Sequence, residues 1–233
     1  MTSELCTGLD NVLEIDEDCR KLGIYVAYTI LWIDAPMQLN QYPFETDVKN
    51  LLEHVKRTHT IEDLKDNPVV RAYRDFYWRI GIDPTKTRPA GEALVRRALK
   101  GVFPRINPVV DAGNIASTYT IVPVGIYDLG RVKLPLKITM SKGGEVFKPI
   151  GGGVELLDKD IPVLIDSENK VMHIYPHRDS VETMVREHTT RILVIAAGVL
   201  GVSRELVKKT VEKVAELLNR IGWKWCNKVV LVA

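Results

Sequence analysis

The residue types able to do chemistry in this 233-residue chain gather in three places. The first is Asp111-Ala112-Gly113-Asn114, which follows the apolar Pro108-Val109-Val110. Glycine beside asparagine suits a tight turn that exposes the amide. Asp111 and Asn114 suit equally well the capping of a following helix. The second place holds His173 and His177, with Arg178-Asp179-Ser180 directly beyond. Histidines four apart share one face of a helix and could bind a metal there. Here Pro176 breaks a strand-like stretch between them, so surface or core histidines are expected and no metal. The third is arginine-rich: Val69–Ile80 carries Arg71, Arg74 and Arg79 beside Tyr73, Phe76, Tyr77 and Trp78. Guanidinium groups with flat rings have the composition of an RNA-contacting surface. At helical spacing the aromatics also describe a buried face, so they are assigned to the core and the arginines are left open.

The common catalytic signatures are absent. The chain has no P-loop, no G-x-G-x-x-G after a strand, no G-x-S-x-G and no H-E-x-x-H. Gly151-Gly152-Gly153 has no helix after it and reads as a hairpin turn. Cys6, Cys19 and Cys226 are too few and too scattered for a disulfide framework or a zinc site, and their odd number favours a reducing compartment. The opening MTSELCTGLDNVLEIDEDCR is acidic and does not read as a secretory signal. The apolar runs Leu22–Ile33 and Ile192–Val202 are too short to cross a bilayer. A cytoplasmic protein with no membrane contact, no metal and no cofactor is expected.

Net charge is only +2, but it is unevenly spread. Residues 1–70 hold six Lys/Arg against 13 Asp/Glu, residues 71–105 nine against three, and residues 106–233 17 against 14. A basic island in a near-neutral chain fits a local anionic contact. Solvated helix faces would carry the same charge.

These residues need elements to position them. Val12–Ile15 and Leu22–Ile33 read as strands, the second rich in β-branched and aromatic residues. A helix opens at Thr46-Asp47-Val48-Lys49. Asn67-Pro68 opens Val69–Ile80 with a cap and a first-turn proline, and Gly81 closes it. A further helix is expected around Ala90–Lys100. Candidate strands follow at Val122–Tyr127, Leu136–Met140, Glu145–Pro149, Val163–Asp166, Val171–Tyr175 and Arg191–Ala196. Ser203 caps an amphipathic helix to Arg220, and Val229–Val232 forms a last strand. This order predicts one α+β domain with N-terminal helices packed on a largely antiparallel or mixed sheet. Residues 1–60 are read as an N-terminal extension of the same globule and residues 61–233 as its main unit.

The stretch Ile106-Asn107-Pro108-Val109-Val110-Asp111-Ala112-Gly113-Asn114, then Pro123-Val124-Gly125-Ile126-Tyr127-Asp128, resembles the tRNA-editing domain (the B3/B4 region) of the phenylalanyl-tRNA synthetase β subunit. Gly144-Glu145, Val163-Leu164-Ile165-Asp166 and Thr190-Arg191-Ile192-Leu193-Val194 continue the likeness in order. The run Asp83–Pro89 with Glu92-Ala93-Leu94 and Arg96-Arg97 is similar to members of that family that occur as separate proteins. The likeness covers roughly residues 70–200.

The resemblance implies a protein that binds tRNA or aminoacyl-tRNA and hydrolyses the ester of a wrongly charged one in trans. Asn114 falls on a pocket asparagine of the family, whereas Gly113 replaces a threonine and Gly125 a pocket histidine. The family's pocket glutamate falls near Arg178-Asp179-Ser180. On this reading Asn114 and Asp179 are the catalytic candidates, with Gly113, Gly125, Arg178 and Ser180 binding substrate, Arg178 through phosphate or the terminal ribose. Arg88, Arg96 and Arg97 hold the RNA backbone, unless an ion pair with Glu92 makes Arg88 scaffold. The replacements leave open a non-catalytic RNA- or amino-acid-binding module, and an enzyme acting on a small amino-acid-like metabolite. A complete synthetase is excluded, because the chain has no room for the catalytic core.

Overall fold

The computed structural model describes residues 6–36 and 41–233. Strand β1 (Leu13–Ile15) and the short helix α1 (Glu17–Lys21) lead into β2 (Tyr25–Trp32). Four helices follow: α2 (Glu45–Thr58), α3 (Pro68–Arg79), α4 (Ala90–Leu99) and α5 (Pro108–Thr120). The strand-rich part holds β3 (Val124–Asp128), β4 (Leu136–Lys142), β5 (Val146–Phe147), β6 (Glu155–Leu156), β7 (Lys159–Ile165), β8 (Val171–Ile174), β9 (Arg178–Asp179) and β10 (Arg191–Gly198). Helix α6 (Arg204–Asn219), β11 (Lys224–Trp225) and β12 (Val230–Val232) complete the order. This is the expected α+β fold.

β2 and β10 are near-continuous apolar runs, and each is buried on both faces for almost its full length. They pair antiparallel from Arg191↔Trp32 to Gly198↔Tyr25. β3 takes the other edge of β10, while β11 and β12 both pair with β2. Helix α6 lies across β2 and β10 with Val207, Val211, Val214 and Leu218 buried. The second sheet runs β1-β4-β7-β8-β9; β1 and β4 are parallel and the other neighbours antiparallel. β5 and β6 form a separate two-stranded hairpin around the three glycines 151–153.

Tyrosine hydroxyls join these layers. Tyr73 on α3 donates to the Ala197 carbonyl at 2.5 Å, and Tyr175 donates to Gly198 at 2.7 Å and Tyr25 at 3.1 Å. Each of these side chains is buried, so an unpaired hydroxyl would cost about 1–3 kcal/mol.

The segment around Asp111–Asn114 departs from the turn expected there: it is the interior of α5. Asn107 caps this helix by accepting from Val110 N at 3.0 Å, with Pro108 in its first turn. The pair Asn67-Pro68 does the same for α3, where Asn67 accepts from Val69 N and Val70 N. Asp111 does not cap a later helix. Its carboxylate turns back to accept from Ile106 N at 2.9 Å, and burial raises its pKa. The strand expected over Leu22–Ile33 also starts late, because Leu22 ends α1 and Gly23 adopts φ +81° before β2 begins.

The cysteines are a second correction. Cys6 and Cys226 form a disulfide with Cα atoms 5.4 Å apart, bridging 220 residues of chain, while Cys19 is free and buried. Scatter in sequence is no bar to pairing once β11 carries the C-terminal segment along β2.

α3 and α4 are locked by a buried carboxylate. Glu92, whose side chain is fully buried, accepts from Arg74 Nε and Nη2 at 2.8 and 2.6 Å and from Arg96 Nε at 2.8 Å. Burial opposes its charge, but the hydrogen bonds from Arg74 and Arg96 outweigh that and hold its carboxyl below the usual value. Glu92→Ala is expected to lower stability by about 3–5 kcal/mol. The lower end is favoured because Arg74 and Arg96 retain 24% and 23% exposure. A depressed carboxyl stabilises above the unfolded pKa, and that contribution is lost as pH falls through the folded value. Urea unfolding at a series of pH values checks both points, with Glu92→Gln flattening the acid limb.

Candidate functional site

The two sheets leave a small recess between them. The helical sheet gives Gly125 and Tyr127 from β3 and Ile195 and Ala197 from β10; the other gives Ile138, Leu164, His173 and Asp179. The turn Tyr175-Pro176-His177 forms one side, and Ala90, the first residue of α4, forms another. The cavity volume is about 50 Å³.

Its polar groups are tied together. β8 and β9 form a hairpin in which His173 stands directly opposite Asp179. His173 Nδ1 lies 2.8 Å from Asp179 Oδ1, and Tyr127 donates its hydroxyl to the same oxygen at 2.9 Å. A carboxylate oxygen only accepts, so His173 carries its proton on Nδ1. Among the described residues nothing bonds to Asp179 Oδ2. The backbone carbonyl of Asp179 is held by Ile150 N at 2.9 Å, so the β5–β6 hairpin fixes the residue from behind.

Gly125 is where it is because of Tyr127. A Cβ at position 125 would lie 2.2 Å from the Tyr127 hydroxyl oxygen and 2.7 Å from Cζ. The missing side chain is thus the space the tyrosine ring needs to reach Asp179. Burial drives the Tyr127 hydroxyl pKa well above 10, so it remains a donor.

His177 has a different environment. Burial, followed by the charges of His173 and Arg178, pulls its pKa down to about 4, with Asp179 acting the other way. Its Nδ1 is buried without a hydrogen-bond partner, and its ring lies 5.7 Å from that of Tyr77. It is a neutral imidazole at ordinary pH, able to accept or donate through one nitrogen.

A wider groove of about 470 Å³ is lined by Arg88, Arg96, Arg97 and Lys100 with Ile61 and Ala93. No carboxylate lines it. Arg96 spends its Nε on Glu92, whereas Arg88, Arg97 and Lys100 are exposed. Glu92 pairs with Arg74 and Arg96, not with Arg88. α4 links the two hollows: its head closes the recess and its body carries the cations.

The expected site residues therefore separate. Gly125 and Asp179 meet in the recess, and Arg88, Arg96 and Arg97 meet in the groove. Gly113 and Asn114 lie elsewhere. A Cβ on Gly113 would come within 2.9 Å of Ile126 Cδ1, which places α5 against Val124 and Ile126. Those side chains alternate with Gly125 and Tyr127 along β3, and Gly113 is not among the recess-lining residues. Asn114 is half-buried and absent from the recess lining. Arg178 points away from Asp179, ion-paired to Glu155 at 2.5 Å and 5.3 Å from the Phe147 ring. Ser180 is fully buried and accepts from Glu182 N, a turn-forming contact.

Tyr127, His173 and His177 are recess residues that sequence reading did not select. The spacing of the two histidines is the available signal, and by pattern alone it points to a metal motif rather than to this recess. Among the described residues no cluster of three or more His, Cys, Asp or Glu could hold a metal, and no helix is long and apolar enough to cross a membrane.

Gly125→Ala is expected to push the Tyr127 ring aside and break its bond to Asp179, costing about 1–3 kcal/mol as an overpacked site. Denaturant unfolding beside Tyr127→Phe, which loses only the hydroxyl at about 1 kcal/mol, separates the two effects. For His177 the sign is the reverse of a salt-bridged histidine. Stability is full above about pH 6.5 and falls as the pH drops toward 4, because the unfolded chain binds the proton first. At about 1.4 kcal/mol per pH unit the loss is roughly 3 kcal/mol. His177→Gln should remove that part of the acid dependence in a pH series of melting curves.

Residues 72–222 match the family described as the B3/4 domain. The fold is similar to an N-terminal fragment of the phenylalanyl-tRNA synthetase β-subunit from Pyrococcus horikoshii, with a TM-score of 0.51 and 15% identity. The alignment covers 95% of this chain and 54% of that one, so the chain spans about half the length of the fragment. At that identity the likeness concerns the fold. No curated protein matches the chain.

Proposed function

The chain belongs to the B3/4 domain family, and from that premise we propose that it binds tRNA and hydrolyses the ester joining an amino acid to the tRNA 3′ end. The observation that carries the reading is the joining of two unlike hollows by one helix. A small recess with a single lining carboxylate, Asp179, and a groove lined by four cations both draw lining residues from α4. An aminoacyl-tRNA has the matching parts: an α-ammonium group on the amino acid and a phosphate backbone beside it.

In this scheme Asp179 Oδ2 receives the α-ammonium in a charge-assisted bond, while Tyr127 and His173 hold Oδ1 and fix the carboxylate's direction. Backbone at Gly125 lies alongside the ester. The neutral His177 ring, which lines the recess, orients a water against the ester carbonyl. Attack breaks the acyl–oxygen bond and releases the amino acid and the ribose hydroxyl. An ester is a good electrophile, so positioning supplies much of the rate. Arg88, Arg97 and Lys100 make salt-sensitive phosphate contacts that carry no sequence information. Such a substrate implies a cytoplasmic location. The Cys6–Cys226 bond is uncommon in that compartment outside hyperthermophiles.

A second reading, binding without catalysis, is favoured by the same histidine. A pKa of about 4 makes His177 a weak proton acceptor at neutral pH. One experiment decides between them. The protein is incubated with a panel of aminoacyl-tRNAs, beside Asp179→Ala and a double Arg88→Glu, Arg97→Glu variant. Hydrolysis of a charged tRNA is expected, slowed about 10–100-fold without Asp179, since hydrogen bonds to charged groups contribute roughly 1.5–3 kcal/mol. The charge-reversed variant should bind tRNA more weakly, with a salt slope reduced by about one per lost contact. Salt-dependent tRNA binding with no hydrolysis of any ester would sink the enzyme and leave the binding module.

A further inference from the structure

The size and walls of the recess bear on what it admits, and the inference that follows rests on the ester-hydrolase reading above. We propose that the recess is built for an aminoacyl group with a short apolar side chain, of the glycyl-to-alanyl class, and that it shuts out aromatic side chains.

The volume sets the scale. A cavity needs roughly 10–15 Å³ to hold one water, and an apolar cavity of about 150 Å³ is the size that takes up benzene. At about 50 Å³, this one is a third of that benzene-binding cavity. That space suits a methyl group and falls short of what a buried phenol needs.

The walls do not give way readily. Ile195 and Ala197 stand on β10, which is paired on both edges. Ile138 and Leu164 are cross-strand partners on β4 and β7, each almost fully buried. Close-packed interiors of this kind yield little to an oversized guest. Of the large lining side chains, Tyr127 is pinned above the Gly125 backbone and bonded through its hydroxyl to Asp179. Tyr175 is fastened through its hydroxyl to two backbone carbonyls.

Polarity gives the orientation. Asp179 is the one carboxylate in the lining, and Ile138, Leu164, Ile195 and Ala197 contribute aliphatic groups from both sheets. An α-ammonium at Asp179 leaves the side chain against these aliphatic groups. A hydroxyl on that side chain is rejected only weakly by an apolar site, so seryl esters fall near alanyl ones. Each methylene beyond the available space costs about 10–200-fold in selectivity.

The test uses the full chain and short RNA helices bearing a tRNA acceptor end, charged with glycine, alanine, valine, phenylalanine or tyrosine. The expected result is kcat/KM for the alanyl ester at least ~100-fold above the tyrosyl ester. Leu164→Ala should raise the valyl and phenylalanyl rates relative to alanyl, a gain that simple destabilisation cannot produce; Ile138→Val is the milder variant if Leu164→Ala does not fold. Equal or faster cleavage of tyrosyl or phenylalanyl ester overturns the size inference and leaves the hydrolase reading standing. If no ester is cleaved, that reading falls, and size selection is read instead from equilibrium dialysis with non-hydrolysable 3′-aminoacylamido-adenosines. Retention of the alanyl analogue alone sustains the inference, whereas equal binding of the aromatic analogues, or no binding of any, ends it.

Discussion

The pairing of β10 between β2 and β3 is the constraint from which the rest of the molecule takes its place. Both β2 and β10 are buried on two faces, so a one-residue slip would exchange the side chains facing α6 for those facing the second sheet. That register also fixes where the Ala197 and Gly198 carbonyls emerge. Tyr73 and Tyr175 are fastened there, which holds α3 and the β8–β9 hairpin against the same strand end. The second sheet is thus positioned by hydrogen bonds to the first as well as by apolar packing.

Glycines along this strand set make room for tyrosine rings, and the recess is a consequence of that packing. Tyr25 lies over its cross-strand partner Gly198, where a Cβ would meet the ring at 2.2 Å. Tyr127 lies over Gly125 in the same way, within one strand. In both cases the ring covers the bare backbone and its hydroxyl finds an acceptor: the Val202 carbonyl for Tyr25 and the half-buried Asp179 for Tyr127. The second instance brings a carboxylate to the edge of an apolar cavity, which is what makes the position chemically interesting.

The arginines of residues 71–105 divide by burial rather than by sequence. Arg74 and Arg96 neutralise Glu92 and tie α3 to α4, and a buried triad of this kind is better regarded as setting a helix register than as a large net source of stability. Arg71 pairs with Asp66 at the surface. Arg88, Arg97 and Lys100 are left exposed on one groove. Of the nine residues of the basic island these three share one groove, while Arg79 and Lys86 are exposed outside its lining.

The amino-acid sequence by itself determined the elements whose signals are local. Asn67-Pro68 starts α3, Ser203 starts α6, and alternation or apolar runs mark β4, β8 and β10, because caps and periodicity depend on residues within one or two turns. Asn107-Pro108 carried the same instruction for α5, but the glycine and asparagine at 113–114 competed with it. Their preference for turns yielded to burial against β3, where a Cβ on Gly113 would crowd the end of the Ile126 side chain. The assembly of the recess was decided by tertiary structure. His173 and Asp179 face each other only because the Tyr175-Pro176-His177 turn closes a hairpin, and Gly125 is explained only by the ring of Tyr127. Ala90 joins them through the α3–α4 lock, and Cys6 meets Cys226 across 220 residues. Each depends on partners that strand pairing and packing bring together, and no window of neighbouring residues contains that information.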